Sequence, residues 1–484
     1  MKKRIALLLT LTLVLSIFAF AGCSAKKPAD AQPSDASQQG SSTEETKNTT
    51  DVADGERVIH LVGYSRAIEG EADNWDKVAR AFEAENPGIK VDIRWQGSAA
   101  ESVQNLIAGN MADETIDLFL LGPAHINSTL AGSGYLMDMT DLMAPYMNRF
   151  EESMLSGLYI GDRLWGIPYG DMSISMVIYN KTLFDECGLS VPQTYEELLS
   201  VCQTLKGHDS SILPMMQMGK MPMFWPMWYA EAYEQTSGNQ ALNNIYDFLA
   251  GDRQFTGEEE CAAFEAVKRF YDDGILTAES FDTDSQALVA AFVQGRTAMC
   301  FSMGFAYTAL KNAVADSMEI GVFGFPQLTA GATAKHGGGT NDALVIPTIC
   351  NQDNLDITMK FVEYITRPEN ASQIFAARDL LAPTIKGVEA ADLPIREALD
   401  TEIIPNAMQF LDWVWPAEVN DAFMQAVPAT LAGQMSTEDA AQSIQDALDT
   451  IRSQRNYDAK WWLSWTQEQW DKVTPKTIPP TYGE

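Results

Sequence analysis

The chain reads Arg57-Val58-Ile59-His60-Leu61-Val62-Gly63 where its folded part begins, and this apolar run has the length of a β-strand. Apolar residues then recur at helical spacing over residues 74–85, until Pro87-Gly88 ends that helix. Residues 89–93 alternate between apolar and polar, as a second strand does. A further helix and the apolar run 116–121 repeat this order. Strands separated by helices of this length predict an α/β fold with mainly parallel sheets.

The N-terminus carries an export pattern. Lys2-Lys3-Arg4 precede the apolar run 5–21 and a small residue, which predicts a signal peptide over residues 1–22. Cys23 ends a sequence that resembles a bacterial lipobox, and this resemblance implies that the Cys23 thiol is lipid-modified and anchors the protein to the cell membrane. The alternative is an uncleaved transmembrane anchor over 5–21, which is at the short limit for a span. Residues 23–56 are polar and poor in large aliphatic side chains, so we expect a disordered tether.

The charge of the chain excludes one class of partner. Without residues 1–22 the protein keeps 30 Lys and Arg against 66 Asp and Glu, a formal charge of −36. Such a surface repels phosphate groups, so nucleic-acid binding is not expected. Besides Cys23 the chain has five cysteines at irregular spacing. This is neither a disulfide framework nor a zinc site, and we expect buried thiols, no metal and no cofactor.

Catalytic motifs are missing from the sequence. None of the four histidines lies in an H-E-x-x-H setting and no serine in G-x-S-x-G. An exported, tethered glycosidase nevertheless remains an alternative, because it needs only two positioned carboxylates and 66 acidic residues always offer a pair.

Aromatic and polar residues suggest where a ligand binds. The faces of sugar rings pack on aromatic rings, while sugar hydroxyls bind carboxylates and amides. Residues 224–229 are dense in aromatics, and Trp225 and Trp228 are candidates for such packing, although a plug in the core is an equal alternative. Ligands of open α/β sheets bind at loops that follow strand ends. The candidates on such loops are Tyr64, Ser65, Gln96, Ser98, Asp171, Asn341 and Asp342, with Asp171 and Asp342 as the preferred acceptors.

Several motifs occur in a familiar order. They are Phe82 to Val91 with its Asn86-Pro87-Gly88 end, Trp165-Gly166-Ile167-Pro168-Tyr169, the stretch 179–198 in which Asn180 is predicted to cap a helix, residues 292–299 and the glycine run 337–339. In this order they resemble the extracellular solute-binding proteins of bacterial ABC importers, in particular the maltose-binding-protein-like family that binds sugars and oligosaccharides. The resemblance covers residues 57 to about 453.

The resemblance implies a two-lobed fold with crossover strands at the hinge. Roughly 430 ordered residues also exceed what one core usually serves. We expect lobe 1 to comprise 57–169 and 341–385, and lobe 2 to comprise 170–340 and 386–484. The family captures its solute between the lobes and delivers it to a membrane permease without breaking a bond, so the chain is expected to be a monomeric, extracytoplasmic binding protein and not an enzyme. A non-sugar solute remains open.

The resemblance also adds aromatic candidates. Phe305 stands after Gly304, where sugar-binding relatives often carry a stacking Trp, and Trp413 and Trp415 fall in a late segment that supplies another. The C-terminal residues 457–470 contain four further tryptophans at spacings that place much of the segment on one helical side. We expect this tail to pack against the second lobe.

Overall fold

The computed structural model describes residues 55–64, 70–96, 99–112, 114–122, 126–455 and 460–481. The predicted signal peptide, Cys23, most of the tether, Ser65 and Ser98 lie outside these ranges. Within them, no helix is long and apolar enough to cross a membrane. The strands are β1 (Arg57–Gly63), β2 (Ile89–Trp95), β3 (Leu118–Leu121), β4 (Tyr159–Ile160), β5 (Arg163–Leu164), β6 (Ile167–Asn180), β7 (Leu213–Met216), β8 (Thr297–Met303), β9 (Ile320–Phe323), β10 (His336–Val345) and β11 (Ala407–Gln409).

The helices lie between and after these strands. They are α1 (Glu71–Glu85), α2 (Ala99–Met111), α3 (Thr140–Met143), α4 (Glu152–Leu155), α5 (Lys181–Glu186), α6 (Tyr195–His208), α7 (Phe224–Thr236), α8 (Ala241–Ala250), α9 (Glu258–Asp272), α10 (Ser285–Val293), α11 (Gly304–Val314), α12 (Leu355–Ile365), α13 (Pro368–Ile374), α14 (Arg396–Ala398), α15 (Ala417–Leu431), α16 (Thr437–Arg455), α17 (Trp461–Ser464) and α18 (Gln467–Val473). Short 3₁₀ or π turns occupy Ile126–Ala131, Ala144–Arg149, Ser156–Leu158, Ala278–Asp282, Gln352–Asn354, Phe375–Ala377, Leu399–Ile403, Ile404–Asn406 and Leu411–Trp413.

The first sheet region follows the βαβ pattern of the sequence. β1 pairs in parallel with β2 and with β3. Helix α1 buries Trp75, Val78, Ala79 and Phe82, the apolar positions spaced for one helical face. The helix ends at Asn86, whose side-chain amide donates to the Phe82 carbonyl over 2.7 Å. The strand, helix and strand predicted for residues 57–93 are confirmed.

Two long strands join this region to the rest of the sheet. β6 is 14 residues long; it pairs antiparallel with β10 from Ile167 to Ile174 and then with β8 from Ser175 onwards. β10 also pairs antiparallel with β3. The β6–β10 register shifts between Thr340 and Asp342, so Asn341 lies at a bulge. The outer ladders, β1 with its neighbours and β7 with β8, run parallel. The sheet is therefore mixed, with crossover strands, as predicted.

The apolar side chains form two separate cores. The first core draws mainly on residues 59–169 and 343–385, with Trp75, Phe82 and Trp165 buried in it. The second core draws mainly on residues 172–325 and 395–451, and includes Trp228 and Phe423. β6 contributes to both cores, while β10 supplies residues 343–345 to the first core and pairs at its start with β11, whose Ala407 packs against the second core. The crossing region therefore lies where these two strands pass from one core to the other. The lobe boundaries inferred from the sequence stay a prediction.

The C-terminal tail packs differently from the prediction. Trp461 is buried against Trp165 of the first core, with ring centroids 5.4 Å apart, and Trp465 lies 4.2 Å from Trp461. The expectation that this segment packs against the second lobe was wrong for these tryptophans. The reason is local: Trp165 offers an aromatic surface, and Gly132 leaves space for the Trp461 indole, which would stand 3.0 Å from any Cβ there.

Candidate functional site

Three chain segments cross between the two cores, and three of the sequence candidates lie on them. β6 carries Asp171 and β10 carries Asn341 and Asp342. The third crossing segment is the stretch 378–385, which is bridged to β6 through Asp171 and Pro383. Tyr64 joins this region from the end of β1 through a hydrogen bond to Asp342.

Asp342 is the centre of a buried polar cluster. The Tyr64 hydroxyl donates to Oδ1 of Asp342, and Nη1 of Arg378 lies 3.3 Å from its Oδ2. Arg378 also forms an ion pair with Glu71 of α1. The side chains of Asp342, Arg378 and Glu71 are each less than a tenth exposed. A single guanidinium therefore offsets two carboxylates and ties α1, β10 and the third crossing segment together.

The cluster depends on a glycine in β6. Gly170 has φ +102°, and a Cβ there would stand 3.0 Å from Nη1 of Arg378. A side chain at this position would both strain the backbone and displace the guanidinium. Tyr169, immediately before it, is fully buried, and this burial raises the pKa of its hydroxyl well above the usual value. Arg378 and Glu71 had no place among the sequence candidates, because no local pattern links residues 307 positions apart.

Asp171 holds the third crossing segment. Its carboxylate accepts backbone N–H bonds from Leu381 over 3.1 Å and from Ala382 over 2.7 Å. Burial raises the pKa of Asp171 above its usual value, while these backbone bonds and the nearby Arg378 act in the opposite direction. Asp171 therefore fixes residues 381 and 382 against β6.

Asn341 and Trp413 each contact the crossing strands. The Asn341 side-chain oxygen accepts from the Ser173 hydroxyl over 2.6 Å, which holds the bulge against β6. The half-buried ring of Trp413 lies over Gly339, 3.3 Å from where a Cβ would be, and packs on Phe410 at 4.8 Å between centroids. A glycine in β10 thus lets an indole approach the crossing strand closely.

Phe305 is the exposed aromatic residue of this region. It stands in the first turn of α11 with 49% of its surface exposed, 6.1 Å from the buried ring of Phe224. The preceding Gly304 touches the side chain of Leu381, whose backbone N–H is bound by Asp171. Phe305 therefore lies next to the third crossing segment, with a ring available to a ligand.

The other aromatic candidates are core residues. Trp228 is fully buried among Phe270, Phe301 and Phe325, and Trp415 is 5% exposed among further phenylalanines. Trp225 is 2% exposed, and its indole N–H donates to the Gly219 carbonyl over 3.2 Å. For residues 224–229 the structure thus favours the core plug over a ligand surface.

Gln96 follows the end of β2 and lies beside Gly63, which precedes Tyr64. Its backbone N–H donates to the Gly63 carbonyl over 2.7 Å, and its side chain is partly exposed. Of the predicted site residues, the structure thus brings together Tyr64, Asp171, Asn341 and Asp342, with Phe305 and Trp413 adjoining them. In the described ranges, no group of three or more His, Cys, Asp or Glu residues could hold a metal ion.

Two cores joined by crossing strands, with polar clusters and aromatic rings at the crossing, define a hinged solute-binding fold. The model of the family "Bacterial extracellular solute-binding protein" matches residues 69–372, more than half of the chain, and the chain belongs to this family. The resemblance seen in the sequence is thereby confirmed.

Named relatives and a solved structure agree with this assignment. The multiple sugar-binding protein of Streptococcus mutans is 23% identical over 64% of this chain and 72% of its own length. The melibiose/raffinose/stachyose-binding protein MelE of Bacillus subtilis is 20% identical over 65% and 71%. A family 1 extracellular solute-binding protein from Bifidobacterium longum subsp. infantis superposes with a TM-score of 0.69 at 17% identity, over 82% of this chain and all of that one. The two-lobed α/β fold is therefore confirmed.

Proposed function

We propose that this protein is the substrate-binding component of an ABC importer that captures a sugar or oligosaccharide between its lobes and delivers it to a membrane permease. The observation that carries the proposal is Phe305, a half-exposed aromatic ring beside the crossing segments of a solute-binding fold. The names of the relatives from Streptococcus mutans and Bacillus subtilis, both sugar-binding, support the ligand class.

The residues at the crossing supply complementary chemistry. The C–H face of a sugar ring packs on the Phe305 ring, and Trp413 offers a second aromatic surface against β10. Asn341, two residues after the Gly339 that Trp413 covers, offers a side-chain amide for sugar hydroxyls. In this proposal Asp171, Asp342 and Tyr64 act mainly by holding the crossing segments, because each is already engaged within the protein.

Capture follows from hinge motion about β6, β10 and residues 378–385. A bound sugar contacts both lobes only when they close, so it favours the closed arrangement by its differential affinity. The closed form then docks on the permease. No bond of the solute is broken, and the protein acts as a monomer at the membrane surface, anchored through lipid on Cys23 and separated from the bilayer by residues 24–56.

Calorimetric titration of the purified protein with mono-, di- and oligosaccharides tests the proposal, with the sugars analysed by chromatography afterwards. Saturable binding with unchanged sugar supports it. Shortened sugar chains would make the protein a glycosidase. If circular dichroism shows that the protein is folded and no sugar of the panel binds, the solute is not a sugar of these classes.

A further inference from the structure

The C-terminal tail contacts elements of both cores. It is reached from α16, which places Ile444, Leu448 and Ile451 in the second core. Its own aromatic residues then pack on the first core around Trp165. The chain thus crosses between the cores once more, in addition to β6, β10 and residues 378–385.

The attachment to the first core is extensive. Trp465 and Trp470 join Trp461 around Trp165, with centroids 6.2 and 6.3 Å from that ring. Val473 is fully buried, and its carbonyl accepts the backbone N–H of Asp138 over 2.8 Å. Aromatic burial and main-chain bonding fix the tail to this core.

The attachment to the second core is made by two residues at the start of the tail. Lys460 Nζ lies 2.8 Å from Oδ1 of Asp247 and 2.9 Å from Oδ2 of Asp252. Trp462 meets Tyr246 edge to face, with centroids 5.0 Å apart. Tyr246 and Asp247 belong to α8, whose Ile245, Phe248 and Leu249 are buried in the second core.

The backbone of the first core is shaped to receive Trp462. Gly161, between β4 and β5, has φ +62°, and its Cβ position would be 2.8 Å from Nε1 of Trp462. The Trp462 indole therefore lies between the β4–β5 turn of the first core and Tyr246 of α8. Any rotation of one core against the other must change this packing.

We propose that residues 460–473 form a strap that joins α8 to the first core and holds the two lobes in the relative orientation of this structure, thereby limiting hinge motion. The extensive packing on the first core keeps the strap in place. The Lys460 and Trp462 contacts with the second core are the ones that break when the lobes rotate. The strap acts in the ligand-free protein, whichever solute the protein binds.

Distance measurement between the lobes tests the strap. Fluorophores are attached through unnatural amino acids at the exposed positions Lys77 in α1 and Glu186 in α5, and single-molecule energy transfer is recorded without ligand. We expect the distance distribution to broaden and shift in the Lys460→Ala, Trp462→Ala double variant. Leu463→Ala is the matched control, since Leu463 is 74% exposed in the same short helix and its change should leave the distribution as in the wild type.

A second variant removes the Lys460 ion pairs by changing their partners in the second core instead of the tail. Asp247→Asn with Asp252→Asn removes both partners of Lys460 without altering the tail, and should widen the distribution in the same direction. Raised salt should do the same in the wild type, because these ion pairs are partly exposed. If both sets of variants are folded and keep the wild-type distribution, the tail is a static part of the first core and the proposal fails.

Discussion

The Tyr64 hydroxyl, at the end of the first strand, donates to Oδ1 of Asp342 on a strand that crosses between the cores, 278 residues later in the chain. Both side chains are buried, at 5% and 1% exposure. A buried carboxylate that loses one of its donors keeps the cost of desolvation. Tyr64→Phe should therefore lower the free energy of unfolding by about 1–3 kcal/mol in urea denaturation. Tyr159→Phe, in the short hairpin of β4 and β5, is the control. If both changes lower the free energy of unfolding equally, the hydrogen bond from Tyr64 to Asp342 does not contribute the expected stability.

Arg378 is the cation of the same cluster. Replacing it by Met removes the cation shared by the buried carboxylates of Glu71 and Asp342, which typically costs about 3–5 kcal/mol. We expect a strongly reduced melting temperature in calorimetry. Lys181→Met, which breaks exposed ion pairs with Asp185 and Glu319, should leave the melting temperature near that of the wild type. A small effect of Arg378→Met would mean that the two carboxylates do not depend on it.

Phe305 is expected to contact the ligand without supporting the fold. Phe305→Ala should weaken sugar binding roughly threefold to tenfold, the range that an aromatic contact contributes. Its melting temperature should change little, because half of the ring is already exposed. Isothermal titration with the best sugar of the panel measures the first effect. Val293→Ala, which alters another exposed apolar side chain, is expected to bind like the wild type; equal affinity of both variants would exclude Phe305 from the site.

Glu231 should make stability depend on pH. Its Oε1 accepts from the Ser175 hydroxyl over 2.5 Å and from the Gly337 N–H over 2.8 Å, while its Oε2 has no hydrogen-bond partner among the described residues. Burial raises the pKa of the carboxyl to about 8. Between the ordinary pKa of Glu, about 4.5, and this value the folded state holds a proton that the unfolded state has lost. Stability therefore falls as pH rises through this window, by at most about 1.4 kcal/mol per pH unit for one proton.

The Glu231→Gln variant removes this titration while preserving the shape of the side chain. Urea unfolding of the wild type and the variant from pH 5 to pH 8 should give a shallower pH dependence for the variant. Glu389→Gln, at an exposed position, should keep the slope of the wild type. Identical slopes in wild type and Glu231→Gln would show that Glu231 does not carry the effect.

Local patterns in the sequence were sufficient to predict much of the fold. The strand, helix and strand of residues 57–93 follow from apolar spacing, and the Asn180 side chain accepts the N–H of Leu183 as an N-cap should. The binding site was harder to predict from the sequence, because aromatic residues occur in hydrophobic cores as readily as on ligand-binding surfaces. Trp228 and Phe305 look alike in sequence, yet one is fully buried and the other half-exposed. Long-range pairs such as Arg378 with Glu71 have no local signature at all.

The position of β10 in the sheet determines how late in synthesis the first lobe can be completed. β3 obtains its second neighbour only from residues 343–345, and Phe361, Phe375 and other members of the first core follow still later. During synthesis the N-terminal third of the chain therefore emerges with the interior of its own lobe unfinished. The first core is completed only after the chain has been made through residue 473, because Trp461 and Val473 are buried in it, and by then all residues of the second core have been synthesised. In a member of an extracellular solute-binding family, this order of assembly delays folding of the first lobe until nearly the whole chain is available.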